Sequence, residues 1–502
     1  MLKKILNFVP AILGALVVGA AALLLYITVM NSGLLPDNYL TITGVVLAIL
    51  PVICGLFMLK PQNKVRFIIG AVLVVLFVAV MLTGCFFVKR GLEVLETVTK
   101  PGAVTTVVDV YVKKDDDAKK LKDTKDYVYG ILASLDREYT DAAIEEVEAK
   151  LGKKPNLKEY DGADALIQAL MVDGEVQAII IPAAQFDVLV HMQEELEIPE
   201  EELYDALTRK LHTTNVVEQT TTGQRPSSGG ASSDHLGREE LPILTIYLSG
   251  IDSRSGMPEK SRSDVNIVAI INPNTYQVLM VSVPRDYYVP LKRGSTVTAP
   301  DKLTHAGIYG VQVSMDTLSM LLGTKIDHYF RVNFSGFEKI VDAVGGVTVV
   351  SDYAFTASCG GYKYVKGENQ LNGKRALSFA RERKSFASGD RQRGKNQMIL
   401  IKAIAEKAMS PVILTNFNEI MSSVESSFRT TVSKDTISKY VRMQLRKNPE
   451  WEFISYSLDG SGASRKCYSM SIPLSVMLPN ETTVNRAKSM IQAIMNNEII
   501  PQ

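Results

Sequence analysis

The chain has 502 residues, 46% hydrophobic and 22% charged: enough apolar material for two or three packed domains, and too much for a disordered polypeptide. Its 55 lysines and arginines against 54 acidic residues exclude a generic nucleic-acid binder, which carries a basic surplus over a whole domain. Any site for a polyanion must therefore be local.

The N-terminus sets the class. Residues 8–30, 39–59 and 67–88 contain no charged side chain, and each run is long enough for a bilayer core, which needs about 20 apolar residues per helix. A cleaved signal peptide has an apolar stretch of only about 7–15 residues. The expectation is three transmembrane helices within residues 1–90. Lys3 and Lys4 precede the first run and Lys60, Lys64 and Arg66 follow the second, whereas 31–38 holds Asp37 and no basic residue. Positive charge stays on the cytoplasmic side, so the N-terminus is expected inside and everything after Val88 outside. Lys89 and Arg90 are followed closely by Glu93 and Glu96. Cys54 and Cys85 fall in the spans and read as packing residues. Cys359 and Cys467 fall outside, where a disulfide persists, and their spacing does not decide between a bridge and two thiols.

Residues 103–217 read as a small α/β accessory domain. VVDVYV (107–112) and AIIIP (178–182) have the composition of short buried strands, and 141–150 and 163–172 show helical spacing of apolar residues. Strands alternating with helices predict parallel pairing. The mixed-charge stretch 115–125 reads as solvated, and no catalytic constellation stands out in this segment. Residues 218–240 (EQTTTGQRPSSGGASSDHLGREE) form a flexible linker by composition. His212 and His235 have no partner at ligand spacing.

The last domain, 241–502, opens with strands at 243–248, 266–271 and 277–283. Helical stretches follow at 312–322, 334–344, 374–381 and 390–409. This is the pattern of a central sheet covered by helices, an α/β or α/β/α sandwich, in which ligands gather where strands end. Three polar clusters sit there: SGIDSR with Asp252 and Arg254, SRSD with Arg262 and Asp264, and SVPRD with Arg285 and Asp286. A fourth concentration of charge, FARERKSFASGDRQRGKNQ (379–397), carries Arg381, Arg383, Arg391 and Arg393.

Carboxylates and arginines without a histidine or cysteine cluster describe a site for hard ligands. Oxygen donors suit Mg²⁺ or Mn²⁺ rather than zinc, and guanidinium forks match phosphate oxygens. The competing reading is a surface ion-pair network, which three clusters at strand ends make the weaker one. Asp390 reads as the N-cap of a helix that places Arg391, Arg393 and Lys395 in its first turns. Cations there oppose the helix dipole by roughly 0.3–1 kcal/mol each, a cost offset if an anion sits over the helix start. The chain has no GxSxG elbow and no HExxH, and GENQLNGK (367–374) lacks the spacing and the Ser/Thr of a P-loop. His305 and His328 read as structural or loop residues.

In order, SGIDSR, RSDVNIVAI, SVPRDYYV, DKLTHAG, IDHYFRVNFSGFEKIVDAVGGVTV, LNGKRALSFARER and GDRQRGKNQ resemble the LytR-CpsA-Psr family, from about Leu241 to the C-terminus. Three spans followed by an accessory domain are similar to its capsule-associated branch. The resemblance implies an α/β/α sandwich with a central mixed sheet. It also implies Mg²⁺-dependent transfer of a phosphoglycan, wall teichoic acid or capsular polysaccharide, from a polyprenyl-pyrophosphate lipid to peptidoglycan. By motif matching, Asp252 and Asp264 take the metal-associated positions, and Arg262, Arg285, Arg381, Arg383 and Arg393 the pyrophosphate-binding ones. Gln397 joins that site, Asp390 orders its arginines, and Lys302 matches through its DKL context. Asp252, Asp264 and Arg285 are thereby the expected catalytic set. The partners implied are the lipid-linked glycan, the peptidoglycan acceptor and the membrane, with no nucleic acid, since the arginine cluster lies outside the cell. A lipid tunnel lined by Val311, Met315, Leu318, Leu322, Phe334, Phe337 and Ile340 competes with ordinary core packing for those residues. A non-catalytic lipid-glycan binder that regulates polymer assembly, and a polyprenyl-pyrophosphate hydrolase, are the alternative functions.

Overall fold

The computed structural model describes residues 8–59, 63–99, 105–196, 198–217, 241–251, 260–387, 389–409, 425 and 428–501. The expected linker and Asp252 with Arg254 lie outside the described residues. The chain divides into two compact units. One holds Met1–Lys100, Pro411–Glu425 and Thr431–Trp451; the other holds Pro101–Ser410, Ser426–Thr430 and Glu452–Gln502.

In the first unit, α1 (Val9–Ser32), α2 (Asp37–Met58) and α3 (Lys64–Thr99) are each long and apolar enough to cross a membrane. They meet through Val18, Ala21, Ala22, Leu47, Cys54 and Met81, several of them small enough to let helix backbones approach. Helix α3 continues beyond the uncharged run to Thr99. No proline interrupts that extension, and Arg90 pairs with Glu93 one turn on at 3.7 Å. Helix Lys434–Lys447 joins this unit: Arg442 donates to the Gly33 carbonyl, and the Tyr39 hydroxyl to that of Leu445.

The second unit contains two mixed sheets. The first comprises β1 (Thr105–Lys113), β2 (Val128–Leu132), β3 (Asn156–Tyr160), β4 (Ala178–Pro182) and β5 (Thr208–Val217), in the order β3-β2-β4-β1-β5. Only β2 pairs in parallel, with β3 and β4. β1 runs antiparallel to β4 and β5, so the expected parallel pairing is found for β2 with its neighbours and not for β1, and the sheet is mixed. Helices α4 (Arg137–Leu151), α5 (Ala163–Gln168) and α6 (Ala183–Glu195) connect these strands.

The second sheet is built on a meander of β6 (Leu244–Ile251), β7 (Val265–Asn272) and β8 (Gln277–Ser282). These runs are almost wholly apolar because both faces are covered. The hairpin β9 (Tyr288–Arg293) and β10 (Thr296–Lys302) follows, then α7 (Val311–Leu322), β11 (His328–Asn333) and α8 (Phe334–Ala343). Two small ladders, β12 (Val347–Ser351) with β15 (Gly367–Leu371) and β13 (Phe355–Thr356) with β14 (Lys363–Tyr364), precede α9 (Gly373–Arg381) and α10 (Asp390–Ala408). With β16 (Phe428–Thr430) and β17 (Glu452–Ser457) the order is β16-β11-β6-β7-β8-β17. β11 lies parallel to β6 and β17 parallel to β8.

One hydrophobic core serves both sheets. Leu166, Leu170, Phe186 and Leu189 from the first half pack in the same cluster as Tyr247, Val268, Leu279 and Leu303 from the second. Met315, Leu318 and Leu322 of α7 are buried in it as core residues, whereas Phe334, Phe337 and Ile340 of α8 are half-buried. Cys359 is exposed, Cys467 buried, and both are free thiols.

Candidate functional site

The meander gathers the polar clusters at one rim. Because β6 and β7 are antiparallel, Gly250 faces Val265; because β7 and β8 are antiparallel, Ile267 faces Ser282. The end of β6, the start of β7 and the end of β8 therefore share an edge. A buried polar network fixes the SRSD segment there. The Tyr247 hydroxyl lies 2.6 Å from both Ser263 Oγ and Asn266 Oδ1. Ser249 Oγ is 2.7 Å from Ser263 Oγ, and Arg331 on β11 donates to Ser261 Oγ at 2.7 Å.

Asp264 and Arg285 form the centre. Arg285, only 4% exposed, donates from Nη1 to Asp264 Oδ1 at 3.0 Å. Its Nε lies 3.7 Å from Asp286 Oδ2, and Lys302 Nζ lies 3.2 Å from Asp286 Oδ1. Burial alone would raise the Asp264 pKa, yet Arg285 first, then Arg262 and Arg393, hold the carboxyl well below the usual carboxylate range. Arg262 is half-buried, and its Nη1 is a buried donor without a hydrogen-bond partner among the described residues. Arg262, Arg285, Lys302 and Arg393 thus gather with Asp264, Asp286 and Asp390, and Asp187 of α6 also acts on Arg262. Guanidinium and ammonium donors gathered in this way suit a phosphate-bearing ligand.

Helix α10 delivers Arg393. Gly394 has no side chain where a Cβ would sit 2.3 Å from Ser282 Oγ, so the helix start comes down on the end of β8. Asp390 is the first helical residue rather than the N-cap: Gly389, with φ of 44°, takes that place. The Asp390 carboxylate turns instead to Arg393 one turn later, consistent with an acid that orders an arginine. The helix-start cations separate. Arg391 pairs with Asp459 at 2.6 Å and Lys395 is exposed, leaving Arg393 as the one of the three that acts on Asp264.

Arg381 and Arg383 stand on the segment before α10. Arg381 lies 4.7 Å over the Phe334 ring, Arg383 is half-buried, and Gln397 Nε2 donates to the Ala380 carbonyl at 3.2 Å. Among the described hydrogen bonds and ion pairs, none joins Arg381, Arg383 or Gln397 to Asp264. What holds the segment is Glu382, wholly buried between the two arginines. Its carboxylate accepts from the Ser358 N–H at 2.5 Å, the Ser358 hydroxyl at 2.8 Å and the Ser385 N–H at 2.8 Å. Burial would raise its pKa, but these donors lower it overall. A carboxyl with a depressed folded pKa stabilises the fold above the ordinary glutamate value of about 4.3 and loses that contribution as pH falls through the folded pKa. Glu382→Gln is therefore expected to cost about 1.5–3 kcal/mol at pH 7. In thermal melts the gap to wild type should close as pH is lowered below about 4; a gap independent of pH would refute the assignment.

A second positional constraint is Gly307 of DKLTHAG. A Cβ there would lie 2.3 Å from the Ser261 carbonyl oxygen, 3.2 Å from Ser263 N and 3.4 Å from the Arg262 carbonyl carbon, all backbone atoms. We expect Gly307→Ala to push the Arg262–Asp264 segment away, costing about 1–3 kcal/mol of stability and weakening pyrophosphate binding. Gly462→Ala, whose Cβ meets nothing within 4 Å, serves as the neutral control in the same calorimetric titration.

Sequence reasoning missed Tyr247, Ser263, Asn266, Arg331, Glu382 and His191. Asn266 within an otherwise apolar run was a usable signal for a buried polar network. His191 gave none. It lies on α6 of the first sheet, with Nε2 3.3 Å from Arg285 Nη1. Val188, His191 and Met192 of α6 face Arg285, Asp286, Lys302, Thr304 and His305 across a cavity of about 20 Å³. A larger, open cavity of about 450 Å³ is lined by Lys292, Asp316, Lys325 and neighbours and includes none of these site residues. The buried charges gather at the smaller one.

The family model of the LytR_cpsA_psr family matches residues 207–476. The chain is 35% identical over 195 residues to the polyisoprenyl-teichoic acid–peptidoglycan teichoic acid transferase TagU of Bacillus subtilis strain 168, covering 39% of this chain and 61% of that one. It is 37% identical over 207 residues to the TagU of Oceanobacillus iheyensis, covering 40% and 62%. The matched region spans less than two thirds of these relatives' length. Among solved structures, B. subtilis TagU gives a TM-score of 0.40 at 27% identity, over 52% of this chain and 99% of that one. TagT bound to LI-WTA gives 0.41 at 24% identity, over 53% and 97%.

Proposed function

The chain belongs to the LytR_cpsA_psr family, and we propose that it is a membrane-anchored phosphotransferase that attaches a polyprenyl-pyrophosphate-linked glycopolymer, of teichoic-acid or capsular type, to peptidoglycan. The observation that carries this reading is the half-buried Asp264 carboxylate, paired with Arg285 at 3.0 Å and faced also by Arg262 and Arg393. The acceptor hydroxyl attacks the phosphorus that bears the glycan, the bond from that phosphorus to the bridging oxygen breaks, and the bridging oxygen leaves with the lipid phosphate. The products are a phosphodiester on the acceptor and a polyprenyl monophosphate, with the hydroxyl proton passing to a base. Arg262, Arg285 and Arg393, with Lys302, Arg381, Arg383 and Gln397 around them, bind and orient the pyrophosphate and spread the charge that grows on the leaving oxygen. The three apolar helices serve as the membrane anchor, with the N-terminus cytoplasmic and the α/β unit outside, as the lysine and arginine distribution predicts.

Mg²⁺, or Mn²⁺ in its place, is part of the proposal. Among the described residues no group of three or more His, Cys, Asp or Glu is gathered as metal ligands. One carboxylate ringed by arginines is a poor resting place for a bare dication. It fits an ion that keeps waters and takes most of its other oxygens from substrate, as Mg²⁺ does. Asp264 and Asp252 would hold it, and the bound ion would neutralise charge on the phosphoryl oxygens.

The test is incubation of the full chain, in nanodiscs, with a polyprenyl-pyrophosphate-linked glycan, peptidoglycan fragments and Mg²⁺. The expected products are a phosphodiester-linked glycan and polyprenyl monophosphate in equal amounts. Release of free phosphoglycan without acceptor would identify a hydrolase instead.

A further inference from the structure

We propose that the accessory α/β segment completes the site, with His191 on α6 as a positioning residue for Arg285. This rests on the reading of the Asp264–Arg285 rim as a pyrophosphate site. A guanidinium Nη1 carries two N–H groups, and here one goes to Asp264 Oδ1 at 3.0 Å and the other to His191 Nε2 at 3.3 Å. Two acceptors on one nitrogen fix the plane of the guanidinium as well as its location.

The two acceptors differ in kind. Asp264 is a carboxylate that offsets positive charge, whereas His191 offers a ring nitrogen, which accepts from Nη1 in the tautomer that leaves Nε2 bare. In that tautomer His191 orients Arg285 without adding a negative charge to the rim.

Helix α6 is itself held firmly enough to act as a support. Gln185 is fully buried and donates to the Tyr309 hydroxyl at 3.5 Å, joining α6 to the second sheet. Phe186 stacks on Tyr111 of β1 with centroids 4.2 Å apart and planes 10° from parallel. Val188 and Leu189 lie in the core common to both sheets, and Gln193 Oε1 accepts from the Tyr204 N–H at 2.6 Å. Asp136, at the start of α4, pairs with Arg293 of the β9–β10 hairpin at 2.9 Å. A positioning group on a rigid element restricts its target more tightly than one on a loop. The accessory segment thereby acquires a function that its own sequence does not display.

The test compares wild type, His191→Leu, His191→Gln and Arg285→Ala as full chains in detergent, with farnesyl pyrophosphate as the probe in calorimetric titrations. Glutamine keeps an acceptor near the Nε2 position; leucine keeps bulk and removes it. We expect His191→Leu to weaken binding at least tenfold and His191→Gln to recover to within about threefold of wild type. Both variants should melt within a degree or two of each other. With the lipid-linked glycan, His191→Leu should raise KM more than it lowers kcat. Wild-type affinity in His191→Leu would overturn the positioning role, as would a loss that glutamine does not rescue. If Arg285→Ala is the variant that binds as wild type does, or wild type does not bind at all, the pyrophosphate reading of the rim falls and the role of His191 with it.

Discussion

Arg285→Ala is expected to lower transfer by about 10²–10³, the usual consequence of removing one preorganised donor from developing charge, or about 2.7–4 kcal/mol. It should also destabilise the fold, because Arg285 is 4% exposed and ion-paired to Asp264. Deleting one partner of a buried pair typically costs about 3–5 kcal/mol, since the remaining charge is stranded. Arg262 and Arg393 still face Asp264, which places the expected loss at the lower end. Arg285→Lys should restore part of the stability and little of the activity, since a point charge cannot reproduce the two-acceptor geometry of Nη1. The informative variant is Arg285→Ala with Asp264→Ala. Removing both charges should recover most of the melting temperature while activity stays absent. A double variant that regains turnover would show that the pair is structural only.

Much of this rim could be read from residue order, and the reasons are physical. Three successive apolar runs paired antiparallel form a meander, and a meander places the end of its first strand, the start of its second and the end of its third on one edge. The polar clusters bounding those runs had nowhere else to go. Pro284 stops β8 where Arg285 must leave the sheet. The three spans were equally plain, because a bilayer imposes a length that soluble helices need not have.

Other features depend on contacts that no local pattern encodes. β3 (NLKEY) is an edge strand with little buried surface, so it lacks the alternation that marks a half-buried strand. The sheet of the accessory segment is mixed because β5 enters beside β1 in the antiparallel sense, a matter of chain return rather than composition. Asp390 lies at the helix start as read, but one position inside the cap. There it exchanges a bond to backbone N–H groups for an ion pair with Arg393. His191 belongs to a different sheet from Arg285, and the two meet only because the sheets share one core.

Asp264→Asn is expected to separate catalysis from binding, and so to decide between a transferase and a protein that merely retains the lipid. Asparagine keeps an oxygen for Arg285 and removes one negative charge from a rim where Arg262, Arg285, Lys302 and Arg393 remain. Two unit charges about 4–6 Å apart interact by roughly 3–4 kcal/mol at an effective dielectric near 20. Relief of even part of that repulsion would tighten pyrophosphate binding by about tenfold, equivalent to about 1.4 kcal/mol. In chelator, farnesyl pyrophosphate should therefore bind the variant at least as well as wild type. On adding Mg²⁺, wild type should gain affinity and the variant should not, because the carboxylate that would share the ion is gone. Phosphodiester formation should fall by about 10³ or more, comparable to loss of a principal electrostatic group. Retained turnover in Asp264→Asn would remove this carboxylate from the chemistry. Tight binding with no linked product from wild type, across varied acceptors, would leave a lipid-glycan binder whose Asp264 serves only to set the arginines in place.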